Sequence, residues 1–256
     1  MISLKSKYEI EQMISAGRIV GEVLNLMGEK VRPGITTKKL DKIAEEYIIK
    51  SGALPSFKGY KGWAGAMDFP GSICASVNDQ VIHGIPDNTV LREGDIISID
   101  VGACFNGYHG DAARTFPVGK CSEEALRLIS VTEQSFFEGL KKVVPDNRIF
   151  DVSGAIQDYA ESFGYALVRE FTGHGVGKEL HEDPEVPNYR TIHKGPKIRN
   201  GMALAIEPMV IDGSGKIFVD SDNKWTVYTD DEALAAHYEN TVIMVDGEPV
   251  ITTLVK

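Results

Sequence analysis

A chain of 256 residues can bury a full core, and its make-up, 43% apolar and 25% charged, is that of an ordinary globular protein. Its formal charge of −10 argues against general binding to nucleic acid or to a membrane surface, since both favour basic patches. Residues 1–13 carry charges every few positions, and no apolar run approaches the ~18 residues of a membrane span.

Cys74, Cys104 and Cys121 are odd in number and form no CxxC, so neither a disulfide framework nor a zinc knuckle is indicated. The chain is read as cytoplasmic with reduced thiols. Apolar residues at helical spacing between Tyr8 and Lys30 (Ile10, Met13, Ile14, Val20, Val23, Leu24) predict a first helix, ended by Pro33-Gly34. Thr36 or Thr37 then caps a second, with Leu40, Ile43, Ala44, Tyr47 and Ile48 on one face. Residues 53–120, dense in Gly, Pro and β-branched side chains, read as strands. Helices return over residues 122–143 and 151–163, the latter stopped by Gly164, and the chain is β-like again from Ala166.

The order helices–strands–helices–strands hints at duplication. Arg92-Glu93-Gly94-Asp95-Ile96-Ile97-Ser98-Ile99-Asp100 aligns with Arg199-Asn200-Gly201-Met202-Ala203-Leu204-Ala205-Ile206-Glu207, and a His-Gly pair precedes each, at His83-Gly84 and His174-Gly175. The expectation is one α/β (α+β) domain over residues 1–256, with two pseudo-symmetric halves of about 1–120 and 121–256.

Carboxylates sit where buried strands should be. Asn106-Gly107 favours a type I′ hairpin turn, which pairs Phe105 with Tyr108, Gly102 with Asp111 and Asp100 with Ala113. Asp100 and Asp111 then become diagonal neighbours on one face, ~7 Å apart at the backbone. Two ionised carboxylates so placed repel, and either solvation of a partly exposed hairpin or a cation between them relieves it. His174 lies in Gly173-His174-Gly175, where glycine on both sides leaves space beside the imidazole. Glu207 ends an apolar strand and Glu239 leads into another. Four acids and one histidine in apolar context suit a dinuclear site for Mn, Fe(II), Co or Zn, which holds a bridging hydroxide for hydrolysis. His109, His193 and His237 are set aside as non-ligands.

At this point the sequence resembles the type I methionine aminopeptidases over nearly its whole length. The likeness rests on Ser76-Val77-Asn78-Asp79-Gln80-Val81-Ile82-His83-Gly84-Ile85-Pro86, on the 100–111 hairpin, on Gly173-His174-Gly175-Val176-Gly177 with His181-Glu182-Asp183-Pro184, on Ile206-Glu207-Pro208-Met209 and on His237-Tyr238-Glu239-Asn240-Thr241. The resemblance implies a pita-bread fold with two pseudo-symmetric halves, antiparallel sheet and covering helices. It implies two divalent ions held by Asp100, Asp111, His174, Glu207 and Glu239, with Asp111 and Glu239 bridging, Asp100 completing one ion and His174 with Glu207 the other. It gives catalytic contacts to His83 and His181, which touch the scissile peptide, and a proton shuttle to Glu207. Tyr60, Phe69, Cys74 and Trp225 fall at its methionine-pocket positions, with plain core packing as the alternative.

The implied activity is removal of N-terminal methionine from nascent proteins and peptides with a small second residue. Its implied partners are nascent polypeptide N-termini and, transiently, the ribosome, with no nucleic acid bound directly, no membrane and a monomeric chain. The sequence departs from the family in the 61–68 segment, longer than the usual link between Tyr60 and Phe69, in Leu180 where an aromatic is common, and in Asn240 where histidine is frequent. Two other readings stay open: an Xaa-Pro aminopeptidase or prolidase of the same fold, and a non-catalytic binding protein on it.

Overall fold

Ser6 opens the first helix, α1 (Lys7–Lys30), through reciprocal bonds: its hydroxyl accepts from the Glu9 N–H, and the Glu9 carboxylate accepts from the Ser6 N–H. This computed structural model describes residues 1–63 and 65–255; Ala64, within the 61–68 segment, and Lys256 lie outside the described residues. Helix α2 (Thr37–Lys50) is capped by the Thr36 hydroxyl, which accepts from the Lys39 N–H. Strands β1 (Leu54–Pro55), β2 (Ile73–Val77), β3 (Gln80–Ile82), β4 (Ile96–Phe105) and β5 (Tyr108–Pro117) follow. After α3 (Glu123–Leu140) and α4 (Ile149–Ser162) come β6 (Ala166–Leu167), β7 (Gly173–Gly175), β8 (Glu182–Val186), β9 (Ala203–Ile206) and β10 (Met209–Ile211). The chain continues through β11 (Ile217–Val219), β12 (Val227–Thr229), β13 (Ala235–His237), β14 (Asn240–Val245) and β15 (Glu248–Ile251).

Two helix boundaries differ from the sequence expectation. α3 stops at Leu140 because Lys142 and Val143 bond back to Gly139 and Leu140, three residues away, which tightens the last turn out of α geometry. α4 begins before Asp151, because Asp151 is its capping acid: the Arg148 N–H donates to the Asp151 carboxylate at 2.8 Å.

Strand β4 pairs antiparallel with β1, β2 and β5, and α1 and α2 cover this sheet over a core that includes Val20, Leu24, Leu40, Ile97 and Ile99. The order β15-β14-β9-β7-β8 forms a second antiparallel sheet. Smaller sheets run β13-β10-β6 and β11-β12-β3. A second core lies under α3 and α4, with Leu128, Phe136, Ile149, Ile156 and Leu204 among its members. Each such side chain contributes about 1.5–3 kcal/mol by leaving water. The result is the expected mixture of antiparallel sheets and covering helices.

The hairpin has the predicted register: Phe105 opposes Tyr108, Gly102 opposes Asp111 and Asp100 opposes Ala113. Asn106 (φ 50°) and Gly107 (φ 80°) both take the left-handed backbone that a type I′ turn needs. β5 is then stitched to the far part of the chain. The Glu239 N–H donates to the Ala113 carbonyl at 2.9 Å, and the Asp111 N–H donates to the Thr241 hydroxyl at 3.0 Å, which returns its proton to the Asp111 carbonyl at 2.9 Å. Thr241 is held in turn by Thr252, whose N–H donates to its carbonyl at 2.9 Å, and by the Thr253 hydroxyl, which accepts from its N–H at 3.3 Å.

Candidate active site

The acids predicted from sequence converge on one cavity of about 360 Å³. Asp100 comes from the middle of β4 and Asp111 from β5, Glu207 from the end of β9, Glu239 from the link between β13 and β14, and His174 from β7. Asp111, His174 and Glu239 each place a ligand-type atom within 4.8 Å of the others. His174 Nε2 lies 3.8 Å from Glu207 Oε1 and 3.9 Å from Asp111 Oδ2. Its Nδ1 sits 2.8 Å from the Gly175 carbonyl, to which it donates, so the lone pair on Nε2 faces the carboxylates.

Burial decides the electrostatics. It pushes Asp100 up to about 7 and Glu207 up to about 8, and it holds Asp111 and Glu239 well above the usual carboxylate range, with the neighbouring acids adding to the effect on those two. It drives His174 and His83 down to about 3. Carboxyls that resist ionisation and imidazoles that resist protonation are therefore packed together, with little charge of opposite sign to relieve either. Asp100 Oδ1, Asp111 Oδ1 and Glu239 Oε1 are buried without a hydrogen-bond partner. Unpaired buried oxygens of this kind cost free energy unless a cation fills the space between them. Oxygen donors with one imidazole fit a hard or borderline divalent metal.

The other predicted residues ring the same cavity. Phe69, Cys74 and Trp225 form a buried apolar cluster with Phe57 and Leu180, and Tyr60 packs against it. The Tyr60 hydroxyl is 2.8 Å from Nδ1 of His181, whose ring lies 4.2 Å from that of His174, centroid to centroid. His83 takes a left-handed backbone (φ 58°), which turns its ring into the cavity against Phe171. Tyr60 and Phe69 thus line the cavity despite the longer link between them.

Sequence reasoning passed over some residues here. His237 lies on β13 with Nε2 3.3 Å from Glu207 Oε2, and burial lowers it to about 4. Its position two residues before Glu239 was the available signal. Trp63 and Phe171 also line the cavity, and neither carries a motif that marks it. His109 instead bonds Ser56 through Nδ1 at 2.8 Å, and His193 sits exposed in a loop, both apart from the cavity-lining residues.

Comparison with known proteins agrees with this geometry. The model of metallopeptidase family M24 matches residues 11–246. The chain belongs to metallopeptidase family M24. Among M24 relatives, a methionine aminopeptidase of Clostridium acetobutylicum is 57% identical over 99% of this chain and 99% of its own. The crystal structure of a methionine aminopeptidase from Thermotoga maritima superimposes with a TM-score of 0.94 at 40% identity, covering 99% of both chains. A prolidase from Pyrococcus furiosus also shares the fold, with a TM-score of 0.79, but at 20% identity and over 66% of its length. The pita-bread M24 architecture is therefore that of this chain.

Proposed function

We propose that this protein is a metal-dependent methionine aminopeptidase that acts on nascent proteins and peptides with a small second residue. The observation that carries the reading is the meeting of an acid cluster with an apolar, aromatic recess in one cavity. The full-length likeness to proteins that carry this activity supports it over the Xaa-Pro alternative. A recess of Phe69, Cys74, Leu180 and Trp225 suits a flexible thioether, since sulfur–aromatic contacts contribute about 0.3–1.5 kcal/mol each.

Asp100, Asp111, His174, Glu207 and Glu239 would hold two divalent ions of the Mn, Fe(II), Co or Zn kind. Four carboxylates carry four negative charges, which two such ions balance. Bound there, the ions supply Lewis acidity and a water acidic enough to react near neutral pH. The protein's own groups do the rest. His181, with its Nδ1 bonded to Tyr60, presents Nε2–H to the scissile carbonyl oxygen as that oxygen gains charge. His83, which also lines the cavity, would contact the attacked amide. Glu207, its proton affinity raised by burial, takes a proton from the attacking water and delivers it to the departing amine. In this reading the chain works in the cytoplasm as a monomer on nascent N-termini, with transient contact at the ribosome.

The test uses chelator-stripped protein with Met-Ala-Ser and Ala-Pro-Ser, each with and without Mn(II) or Co(II). Metal-dependent release of methionine from the first alone is the expected result. Cleavage of the second alone would move the assignment to an Xaa-Pro peptidase, and cleavage of neither would leave a binding protein.

A further inference from the structure

Residues 61–63 and 65–68, in the segment that departs from the family pattern, form a small flap beside the cavity. Its base is closed by backbone bonds from the Gly59 N–H to the Phe69 carbonyl (2.8 Å) and from the Phe69 N–H to the Tyr60 carbonyl (2.9 Å). Lys61 Nζ and Asp68 Oδ2 pair at 2.7 Å across the same base. Within the flap the Ala66 N–H donates to the Trp63 carbonyl at 2.8 Å. A Cβ on Gly62 would stand 2.5 Å from the Ala66 and Met67 carbonyl oxygens, so only glycine lets the chain double back there. The indole N–H of Trp225 donates to the Met67 carbonyl at 2.8 Å and pins the flap to the cavity wall.

This arrangement puts Trp63 on the rim. Its ring lies 4.4 Å from that of Trp225 and 5.9 Å from that of His83, centroid to centroid. Trp225 is 3% exposed and belongs to the enclosed recess, whereas Trp63 is 40% exposed and faces the mouth. The acids adjoin the recess, because Cys74 within it pairs in register with Asp100. For a peptide with its first side chain in the recess and its scissile bond beside His83, the Trp63 indole, 5.9 Å from the His83 ring, is the exposed aromatic that the following residue would meet.

We infer that Trp63 is a specificity-determining residue for the second position of the substrate. The inference rests on the proposed aminopeptidase reading and deepens it: the rigid indole face narrows the exit so that a short side chain passes and a β-branched or larger one collides. The sequence feature responsible is the longer link, which carries this aromatic at the rim.

The test compares kcat/KM for Met-Ala-Ser and Met-Val-Ser in the metal-loaded native enzyme, Trp63→Ala and Trp63→Phe. The chain has two tryptophans, so emission from the single remaining Trp225, blue-shifted as a buried indole should be, verifies that Trp63→Ala is folded. Should that variant not fold, Trp63→Leu carries the same comparison. The expected result is a rise of about tenfold in the Met-Val-Ser to Met-Ala-Ser ratio on loss of the indole, the scale set by one or two methylenes of pocket space. Trp63→Phe should lie between. A ratio unchanged within about twofold in an active variant overturns the role of Trp63 and leaves the aminopeptidase reading intact. Native enzyme that cleaves neither peptide overturns that reading, and this inference with it.

Discussion

The hydroxyl of Tyr60 meets Nδ1 of His181 at 2.8 Å, although 121 residues separate them in the chain. A phenol donates well, so with Tyr60 as donor the imidazole proton sits on Nε2. Tyr60→Phe keeps the ring and removes that orienting bond. We expect kcat/KM for Met-Ala-Ser to fall by about three- to tenfold, as for loss of one neutral hydrogen bond, with metal content unchanged. An unchanged rate would mean that packing alone orients His181.

His181→Ala goes further and removes the donor itself. The rate should fall by about 10²–10³, the usual cost of one donor to a developing oxyanion. Metal stoichiometry, read by elemental analysis, should stay at the native value. Loss of metal along with rate would place His181 among the ligands.

Asp111 lies at the centre of the acid cluster, with Oδ1 buried and unpartnered and Glu239 and His174 close by. Asp111→Asn replaces a carboxylate that would hold divalent metal by a neutral amide, a weaker ligand for it. Turnover should disappear and metal content should drop. Normal metal content with retained activity would remove Asp111 from the ligand set.

Chelated protein should show a distinctive pH response. Unfolded carboxyls titrate near 4, whereas folded Asp100 and Glu207 titrate at about 7 and about 8, and Asp111 and Glu239 are raised as well. The folded state therefore binds more protons, and the stability this gives is full below the unfolded pKa and lost as pH rises through the folded ones. His83, His174 and His237 are lowered to about 3, about 3 and about 4, so they oppose this trend only below their unfolded value of 6.5. Between pH 6.5 and 8 the acids act alone. The Tm of metal-free protein should fall across that window, and saturating Mn(II) should flatten the curve. A flat curve without metal would show that the acids are not protonated together.

Thr241→Val tests the stitch between the hairpin and the rest of the chain. The change nearly conserves shape but leaves the buried Asp111 N–H without its acceptor. A loss of about 1–3 kcal/mol in denaturant unfolding is expected. A change below about 0.5 kcal/mol would mean that another group takes over the bond.

Much of the site was legible because its chemistry is local. Asn106-Gly107 fixes a turn, the turn fixes the register, and the register brings Asp100 and Asp111 to one face. His174 betrayed itself through its flanking glycines, where a Cβ at either would run into the backbone of neighbouring strands. His237 was set aside because its spacing from Glu239 does not by itself show β13 lying beside β10, the pairing that brings it to Glu207. Trp63 was hidden for a similar reason: its neighbour Trp225 arrives from 162 residues away. The early end of α3 and the early start of α4 were missed because both depend on single hydrogen bonds at helix ends.

The threonine clasp at Thr241 has a consequence for biogenesis. Thr252 and Thr253 hold Thr241, and Thr252 also presses on α1, where a Cβ at Gly17 would sit 2.5 Å from its hydroxyl. Asp111 is thus braced by residues made more than a hundred codons after it. A polypeptide still emerging from the ribosome can form its early hairpin but cannot lock it. Competence depends on residues far downstream, a long-range contact of the kind associated with slow folding.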